Sequence, residues 1–231
     1  MTHSLNPVTR LRRLDVCAVS DALDKLHLSG AAGGLRQLAS ERRIAGRVTT
    51  VKLATPAEVQ AAGASLPRSM TAPPRHLCAT AIEASGPDSV IVIEQRTGIE
   101  AGSWGGLLTL GAKLRQVAGV IAEGLVRDID EARHYDFAVF ARGLTARTAR
   151  GRIAELGTHV DITVGDITVR DGDYVIADNS GVVFIAAARI DEVLTVAEQI
   201  VAREAAMAKS LLSGQAITQV MGANYEHMLK G

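Results

Sequence analysis

Arg127 and Asp128 are adjacent residues that follow the apolar segment 119–123. The planar guanidinium of arginine matches a carboxylate, and aspartate oxygens are ligands that suit Mg²⁺ or Mn²⁺. If segment 119–123 is a strand of a parallel sheet, the pair lies at the carboxyl edge, where open α/β sheets bind ligands. The pair therefore predicts a site for an anion and a metal ion. A second interpretation stays open, in which Asp128 caps the next helix and Arg127 is solvated.

Gly105 and Gly106 come directly before segment 107–117, which the sequence predicts to be a helix. The first N–H groups of a helix lack backbone partners and carry partial positive charge, and glycine lets an anion approach them closely. A plain tight turn would use the same two glycines. The chain has no G-x-G-x-x-G or G-x-x-x-x-G-K-[ST] motif, so the sequence does not indicate a nucleotide.

Further charged residues are candidates for the same crevice. Glu94 and Arg96 follow another apolar segment and would add an acid and a second arginine at the carboxyl edge, or would belong to a polar loop. Glu204 falls on the apolar stripe of a predicted long helix. Because an unpaired buried charge is costly, Glu204 is expected either to form a salt bridge within the chain or to reach a neighbouring subunit's site. Tyr225 and His227 would cover a neighbour or pack on the surface.

The apolar pattern predicts the elements that hold these residues. Strands are predicted at 44–54, 90–94, 119–123 and 137–143, with helices at 107–117 and 128–135. Strands that alternate with helices indicate βαβ crossovers and a mainly parallel sheet covered on both faces. Segment 143–157 is predicted to be a polar loop, and the strand-turn-strand pattern after it indicates an antiparallel or swivelled extension.

Helices are predicted at both ends of the chain. Asn6 before Pro7 marks the start of a first helix, and Ser20 or Asp21 is predicted to cap a second helix that ends at 29–30. The proline-containing segment 56–74 is predicted to be loop and irregular helix. A long helix with one packed apolar face is predicted from about residue 188 to residue 212.

These elements are predicted to form one domain over residues 1–231. It would consist of N-terminal helices at 1–42, an α/β core at 43–187 and C-terminal helices at 188–231.

The composition excludes several classes of partner. Lys and Arg number 25 and Asp and Glu number 25, so no charge excess indicates nucleic acid or a membrane surface. Aromatic residues are only 3%, too few for a base-stacking platform. Cys17 and Cys78 form no metal or redox motif and are predicted to be buried, reduced thiols. With no signal-like or membrane-length apolar run, we expect a cytoplasmic protein.

Motifs in the order SDAL, W-G-G-L-L, EGLVRDIDE, FAVFARG and DGDYVIAD run along nearly the whole chain. In this order they resemble the RraA-like family, whose most specific motif, G-x-x-R-D, corresponds to residues 124–128. The family includes class II 4-hydroxy-4-methyl-2-oxoglutarate / 4-carboxy-4-hydroxy-2-oxoadipate aldolases and the regulator of ribonuclease activity A. The resemblance implies an α/β/α sandwich of the swivelling type, and a homotrimer or homohexamer with sites between subunits.

The resemblance to the aldolases also implies roles for individual residues. Asp128 would bind Mg²⁺ or Mn²⁺ largely through waters, with Glu123 near the metal. Arg127 would hold a 2-oxo acid and stabilise the enolate. Independently of the resemblance, the place of Arg96 after the preceding strand makes it a further candidate substrate contact. Glu204 matches a helix position from which some aldolases reach the adjacent subunit's site. The substrate-binding turn would be formed by Gly105, Gly106, Leu107 and Leu108.

Two positions depart from the aldolase pattern. The aldolases carry an acid where this chain has Gly106, and the regulators lack that acid as well. Glu123 stands where many members have aspartate. The leading interpretation is a metal-dependent lyase that cleaves a 4-hydroxy-2-oxo acid or decarboxylates oxaloacetate through pyruvate enolate. The alternatives are a non-catalytic trimeric regulator, and a lyase or hydratase for a different hydroxy acid that uses Glu94 or Arg96. The neutral total charge favours an enzyme over a regulator of basic partners.

Overall fold

The computed structural model describes residues 6–63 and 76–222. Its helices are α1 (Pro7–Leu11), α2 (Val16–Lys25), α3 (Pro56–Gly63), α4 (Ala79–Ala84), α5 (Gly106–Leu114), α6 (Ile129–His134), α7 (Ile190–Leu212) and α8 (Ile217–Val220). Its strands are β1 (Ala31–Ala32), β2 (Arg36–Ala39), β3 (Ile44–Ala54), β4 (Ser89–Gln95), β5 (Gly119–Val126), β6 (Ala138–Leu144), β7 (Ala154–Thr158), β8 (Ile162–Val164), β9 (Ile167–Val169), β10 (Tyr174–Asp178) and β11 (Gly181–Ile185).

The central sheet is mainly parallel at its centre, as the alternating pattern predicts. Its order is β1-β11-β10-β3-β4-β5-β6-β2, and β3 to β6 pair in parallel. The flanking pairs are antiparallel, and β3 is long enough to pair with β10 along its first half and with β7 along its second. The carboxyl ends of β4, β5 and β6 therefore meet at one edge of the sheet.

Alternate residues of the parallel strands fill two cores. On one face, Ile91, Val120 and Val139 pack in a cluster with residues of α4, α5 and α6. On the other face, Val92 and Phe140 pack in a cluster with the β8–β9 hairpin. Helices α1, α2 and α7 pack in a third cluster with β10 and β11. Burial of both faces explains why β4 and β5 are almost continuously apolar.

The N-terminal helices differ from prediction at one cap. Asn6 caps α1 as expected, since its Oδ1 accepts the Val8 N–H at 3.0 Å. The cap of α2 is Asp15, whose Oδ1 accepts the Ala18 N–H at 2.9 Å, so the prediction of Ser20 or Asp21 is wrong. Both of those residues lie inside α2, which ends earlier than predicted.

Strands also form where none was predicted. Residues 31–32 and 36–39, expected among N-terminal helices, form β1 and β2 at the two edges of the sheet. Residues 154–158, expected in a polar loop, form β7 against the second half of β3. Each of these strands is short and forms its hydrogen bonds with a strand far away in the chain. The local sequence therefore gives little indication that a strand forms there.

The two thiols differ in exposure. Cys78 is buried as predicted, whereas Cys17 is exposed, so the prediction that both are buried is wrong. Cys17 lies within α2, whose inner face is filled by Val16, Val19 and Leu23.

Among the described residues, no helix has the length and apolarity that crossing a membrane requires.

Candidate functional site

The carboxyl end of β5 places Arg127 and Asp128 beside the start of α5. Asp128 Oδ1 accepts a hydrogen bond from Arg127 Nε at 3.0 Å, and Asp128 Oδ2 accepts one from the Gly106 N–H at 3.0 Å. One carboxylate thus joins the guanidinium to the helix N-terminus. The two motifs that the sequence singles out, Arg127-Asp128 and Gly105-Gly106, are brought together.

Asp128 stands at the N-cap position of α6 but does not cap that helix. Its backbone is left-handed, with φ 55° and ψ 41°, and its side chain makes no capping hydrogen bond. Aspartate is among the few residues that adopt this region readily. The backbone before it is fixed, because the Arg127 N–H donates to the Trp104 carbonyl oxygen at 3.0 Å. The carboxylate is therefore turned away from α6 and toward α5.

Glycine is required where the two segments meet. A Cβ on Gly105 would lie 2.7 Å from Asp128 Oδ2, and a Cβ on Gly102 would lie 2.8 Å from Arg127 Cγ. Both separations are closer than side chains tolerate. The Gly106 N–H, which was predicted to face a bound anion, donates to the chain's own Asp128 carboxylate.

Trp104 anchors the turn that carries these glycines. Its indole N–H donates to Thr109 Oγ1 at 2.8 Å, and its ring stacks on Phe137 with centroids 6.3 Å apart. Only 1% of Trp104 is exposed. A buried aromatic ring with a satisfied N–H holds the turn in one conformation.

A cleft of about 550 Å³ opens in front of Arg127 and Asp128. The start of α5 forms one wall, and the segment 148–155 forms another, with His76, Arg150 and Glu155 among its lining residues. Sequence reasoning missed these three: the segment 143–157, which holds Arg150 and Glu155, carried no motif beyond its basic character, and His76 stands in no motif either.

Glu155 fixes part of the cleft wall. Its Oε2 accepts the Cys78 N–H at 2.7 Å and its Oε1 accepts the Thr158 hydroxyl at 2.7 Å. Burial, and secondarily the charge of Glu155, raises the pKa of the Cys78 thiol well above its ordinary value. Cys78 therefore stays protonated at neutral pH and is not a nucleophile.

A second carboxylate lies near Asp128. The Glu131 carboxyl group is 3.2 Å from the point where a Cβ on Gly106 would lie. Glu131 and Asp128 also share a hollow of about 380 Å³ next to the cleft. Within the described residues the Glu131 carboxylate makes no hydrogen bond or salt bridge. Sequence reasoning missed this residue, although its position one helical turn after Asp128 was a usable signal.

Three other candidates lie outside the cleft lining. Glu123 forms a salt bridge with Arg142 at 2.6 Å. Arg96 donates to the Gly165 carbonyl oxygen at 3.0 Å, in the turn between β8 and β9. Glu94 forms a salt bridge with Lys52 at 3.2 Å and also accepts the Thr163 N–H. Their contacts hold strands and the hairpin together, and the structure does not bring these residues to Arg127.

Glu204 is exposed on the outer half of α7, where the predicted apolar stripe is no longer buried. Within the described residues it forms no salt bridge, so the expected intrachain pair is not found. Partial burial raises the pKa of Glu204, and the nearby charges of Asp15 and Asp21 add to the shift. Tyr225 and His227 lie outside the described residues.

Comparisons with known proteins agree in one family. Residues 16–184 match the model of the RraA-like family, described as Aldolase/RraA. A relative from Halalkalibacterium halodurans, named "Putative 4-hydroxy-4-methyl-2-oxoglutarate aldolase", is 26% identical over 193 residues, which are 83% of this chain and 82% of the relative. The protein DlpA of Legionella pneumophila is 26% identical over 214 residues, 93% of this chain.

The structural comparison gives the same fold. The crystal structure of RraAS2 from Streptomyces coelicolor, described as an unusual member of the RNase ES inhibitor RraA protein family, superposes with a TM-score of 0.69 at 19% identity, covering 85% of this chain and 92% of that one. The chain spans only 33% of the length of DlpA and 58% of an uncharacterized relative, MJ0644 of Methanocaldococcus jannaschii.

Proposed function

This chain belongs to the RraA-like family, and from that premise we propose that it is a divalent-metal-dependent carbon–carbon lyase acting on a small 2-oxo acid. The reaction is retro-aldol cleavage of a 4-hydroxy-2-oxo acid, decarboxylation of oxaloacetate, or both, with pyruvate as the shared product. The observation that carries the proposal is the Asp128 carboxylate held between Arg127 Nε and the Gly106 N–H at the mouth of a cleft. Relatives named as aldolases support a lyase in general.

The donor set fits a hard divalent ion such as Mg²⁺ or Mn²⁺. A carboxylate has about four lone-pair positions, and Asp128 uses two of them in its hydrogen bonds to Gly106 and Arg127. The described residues contain no cluster of three His, Cys, Asp or Glu side chains. Mg²⁺ commonly keeps several waters and uses one or two carboxylates, which suits Asp128 with Glu131 nearby. When bound, such an ion would supply Lewis-acid stabilisation of negative charge on the oxo oxygen.

Arg127 would bind and orient the substrate. Its Nε is occupied by Asp128, so its two terminal nitrogens remain to donate to the 2-oxo acid. The N–H groups of Leu107 and Leu108, in the first turn of α5, add donors that no described residue uses. In the retro-aldol step a base would take the proton of the 4-hydroxyl, which becomes a carbonyl as the C3–C4 bond breaks. The electron pair of that bond forms the C2–C3 double bond of the enolate, and negative charge develops on the C2 oxygen. Fixed donors facing that oxygen stabilise the developing enolate.

Glu204 would act from an adjacent subunit. It lies on an exposed part of α7, and no described residue of its own chain forms a salt bridge with it. We propose a homotrimer or homohexamer in which α7 brings Glu204 to the neighbour's Arg127-Asp128 cleft. Glu123 and Arg96, whose polar contacts are within the chain, have no part in this proposal.

Pyruvate release tests the proposed function. Purified protein is incubated with 4-hydroxy-4-methyl-2-oxoglutarate or oxaloacetate in Mg²⁺, Mn²⁺ or EDTA. We expect turnover of at least one substrate with metal and none with EDTA. Asp128→Asn should lower kcat/KM by about 100-fold or more, because it removes a charge from the reacting site.

The matched control is Asp130→Asn. Asp130 has a side chain that is 92% exposed and pairs with Arg133 at 3.1 Å, so its loss should change kcat/KM by less than about twofold. Full activity of Asp128→Asn, or turnover that is equal in EDTA, contradicts the proposal.

One observation favours a second candidate, a non-catalytic regulator. Gly106 carries no acid, and Leu107 and Leu114, near the two ends of α5, are 86% and 75% exposed, which gives α5 apolar surface for a protein contact. A correctly folded protein that releases no pyruvate from either substrate would favour this function. The third alternative, based on Glu94 or Arg96, has no support from the cleft.

A further inference from the structure

The proposed cleavage needs a group that takes the proton of the 4-hydroxyl, and the charged residues that line the cleft do not suit this task. Both oxygens of Asp128 and both oxygens of Glu155 already accept hydrogen bonds. Arg127 and Arg150 also line the cleft, but a guanidinium stays protonated in proteins and accepts no proton. The base therefore has to be another group.

His76 lines the same cleft, and the contact of its ring leaves one nitrogen able to accept a proton. Its Nδ1 lies 3.3 Å from the Leu77 carbonyl oxygen. Because a carbonyl oxygen only accepts hydrogen bonds, this contact puts the ring proton on Nδ1 and the lone pair on Nε2. Within residues 6–63 and 76–222, Nε2 has no hydrogen-bond partner. A neutral imidazole in this form is a general base.

The backbone that carries His76 is tied to the glycine turn. Two residues after His76, the buried Cys78 donates its N–H to Glu155 Oε2 at 2.7 Å and its thiol to the Ser103 carbonyl oxygen at 3.9 Å. Ser103 stands two residues before Gly105. The exposed imidazole is thus attached to a wall of the cleft that is fixed next to the start of α5.

We propose that His76 is the general base that takes the proton of the 4-hydroxyl in the retro-aldol step. The inference rests on the proposed function, which leaves this base unassigned. The proton moves from the hydroxyl oxygen to Nε2, the C4–oxygen bond becomes a carbonyl, and the C3–C4 electron pair forms the C2–C3 double bond of the enolate. The enolate takes a proton from water at C3 to give pyruvate. Because His76 is exposed, it returns its own proton to solvent.

Oxaloacetate forms the same enolate without this proton transfer. Its C4 carboxylate leaves as carbon dioxide, so no hydroxyl proton has to be removed. In the proposed function Arg127 and the metal ion serve both reactions, whereas His76 serves only the cleavage. The ratio of cleavage to decarboxylation therefore measures base catalysis, and a change that disturbs the whole cleft lowers both reactions together.

The test measures kcat for both substrates in Mg²⁺ with the wild type, His76→Gln and His134→Gln. His134, on α6, is also exposed but does not line the cleft. His76→Gln should lower the ratio of 4-hydroxy-4-methyl-2-oxoglutarate cleavage to oxaloacetate decarboxylation by about 100-fold or more, the usual contribution of a general base. His134→Gln should leave the ratio as it is in the wild type.

Added imidazole gives a second readout, with the variant His76→Ala. The exposed position of the side chain leaves its place open to a small molecule from solvent. Imidazole should raise the rate of cleavage in proportion to its concentration and leave decarboxylation unchanged. A residue that only shapes the cleft would not be replaced in this way.

An unchanged ratio in His76→Gln overturns the inference, as does the absence of rescue by imidazole in His76→Ala. A wild type that decarboxylates oxaloacetate but cleaves no 4-hydroxy-2-oxo acid also overturns it and leaves the proposed function standing. A folded wild type that turns over neither substrate refutes both.

Discussion

Asp128 and Glu131 are one helical turn apart at the start of α6, and both carboxylates lie over the Gly105-Gly106 turn. These distances bear on the proposed metal site, since residue 106, a glycine, brings no acid to it. The Glu131 carboxyl group lies 3.2 Å from the point where a Cβ on residue 106 would lie, so it stands close to the space that an acid at position 106 would enter. An acid from α6 can thus serve where α5 provides none.

This arrangement predicts that Glu131 strengthens metal binding. Glu131→Gln should weaken the binding of Mn²⁺, measured by electron paramagnetic resonance, by about 10-fold or more, the usual cost of losing a group that supports the ligands of a metal. The comparison is with Asp130→Asn, which removes the same charge from the neighbouring, outward-facing residue. Equal Mn²⁺ affinity in the two variants would show that Glu131 has no part in the site.

At the scale of elements, α7 divides into two halves. Ile190, Val193, Leu194 and Ala197 are buried against the rest of the chain, whereas the outer half is exposed. Leu212 and Ile217, which follow on the outer half and on α8, are 90% and 51% exposed. Exposed apolar residues at the end of a long helix are typical of a contact with another subunit.

The outer half of α7 also carries a pH prediction. The pKa of Glu204 is raised by partial burial and by Asp15 and Asp21. When the pKa of a carboxyl group is higher in the folded than in the unfolded chain, the free energy of unfolding falls as the pH rises through the pKa of the unfolded chain, about 4.3. Glu204→Gln should therefore be at least as stable as the wild type at pH 7, with no difference below about pH 4. Thermal unfolding at the two pH values measures this.

The same substitution separates a structural role from a role in trans. If Glu204 serves a neighbouring subunit, Glu204→Gln loses turnover without losing stability. Oligomers assembled from equal amounts of Glu204→Gln and Asp128→Asn should then recover about a quarter of the wild-type activity. On average, an intact Asp128 meets an intact Glu204 at one interface in four. A less stable Glu204→Gln variant with normal turnover would contradict the role in trans.

For the molecule as a whole, the sequence predicts the centre better than the edges. The parallel strands β4, β5 and β6 are buried on both faces, so their apolar runs stand out, and the long helix α7 has a sustained period. Strands β1, β2 and β7 were missed because their hydrogen bonds come from segments far away in the chain. Asp15 was missed as a cap because the helical pattern after it also fits a later start.

Some residues of the candidate site could likewise be predicted from the sequence and others could not. Arg127, Asp128, Gly105 and Gly106 were predictable, because each lies directly beside a strongly apolar segment. Arg150 and Glu155 reach the site through the course of a loop, which spacing along the chain does not encode. Glu131 lies one helical turn after Asp128 and could have been found from that spacing. Glu94 and Arg96 lie at the end of β4 as expected, whereas Glu123 lies inside β5, which continues to Val126, and all three make their polar contacts within the chain.

In the proposed reaction, the cleft at Arg127 and Asp128 stabilises the enolate of pyruvate. Exchange of the pyruvate methyl protons with deuterium from solvent, followed by nuclear magnetic resonance, tests this directly and needs no knowledge of the rest of the substrate. We expect the protein with Mg²⁺ to exchange these protons faster than Mg²⁺ alone, and Arg127→Gln to reduce the exchange to the background rate. An exchange rate that is the same with and without the protein, or that is unchanged in Arg127→Gln, would contradict the account.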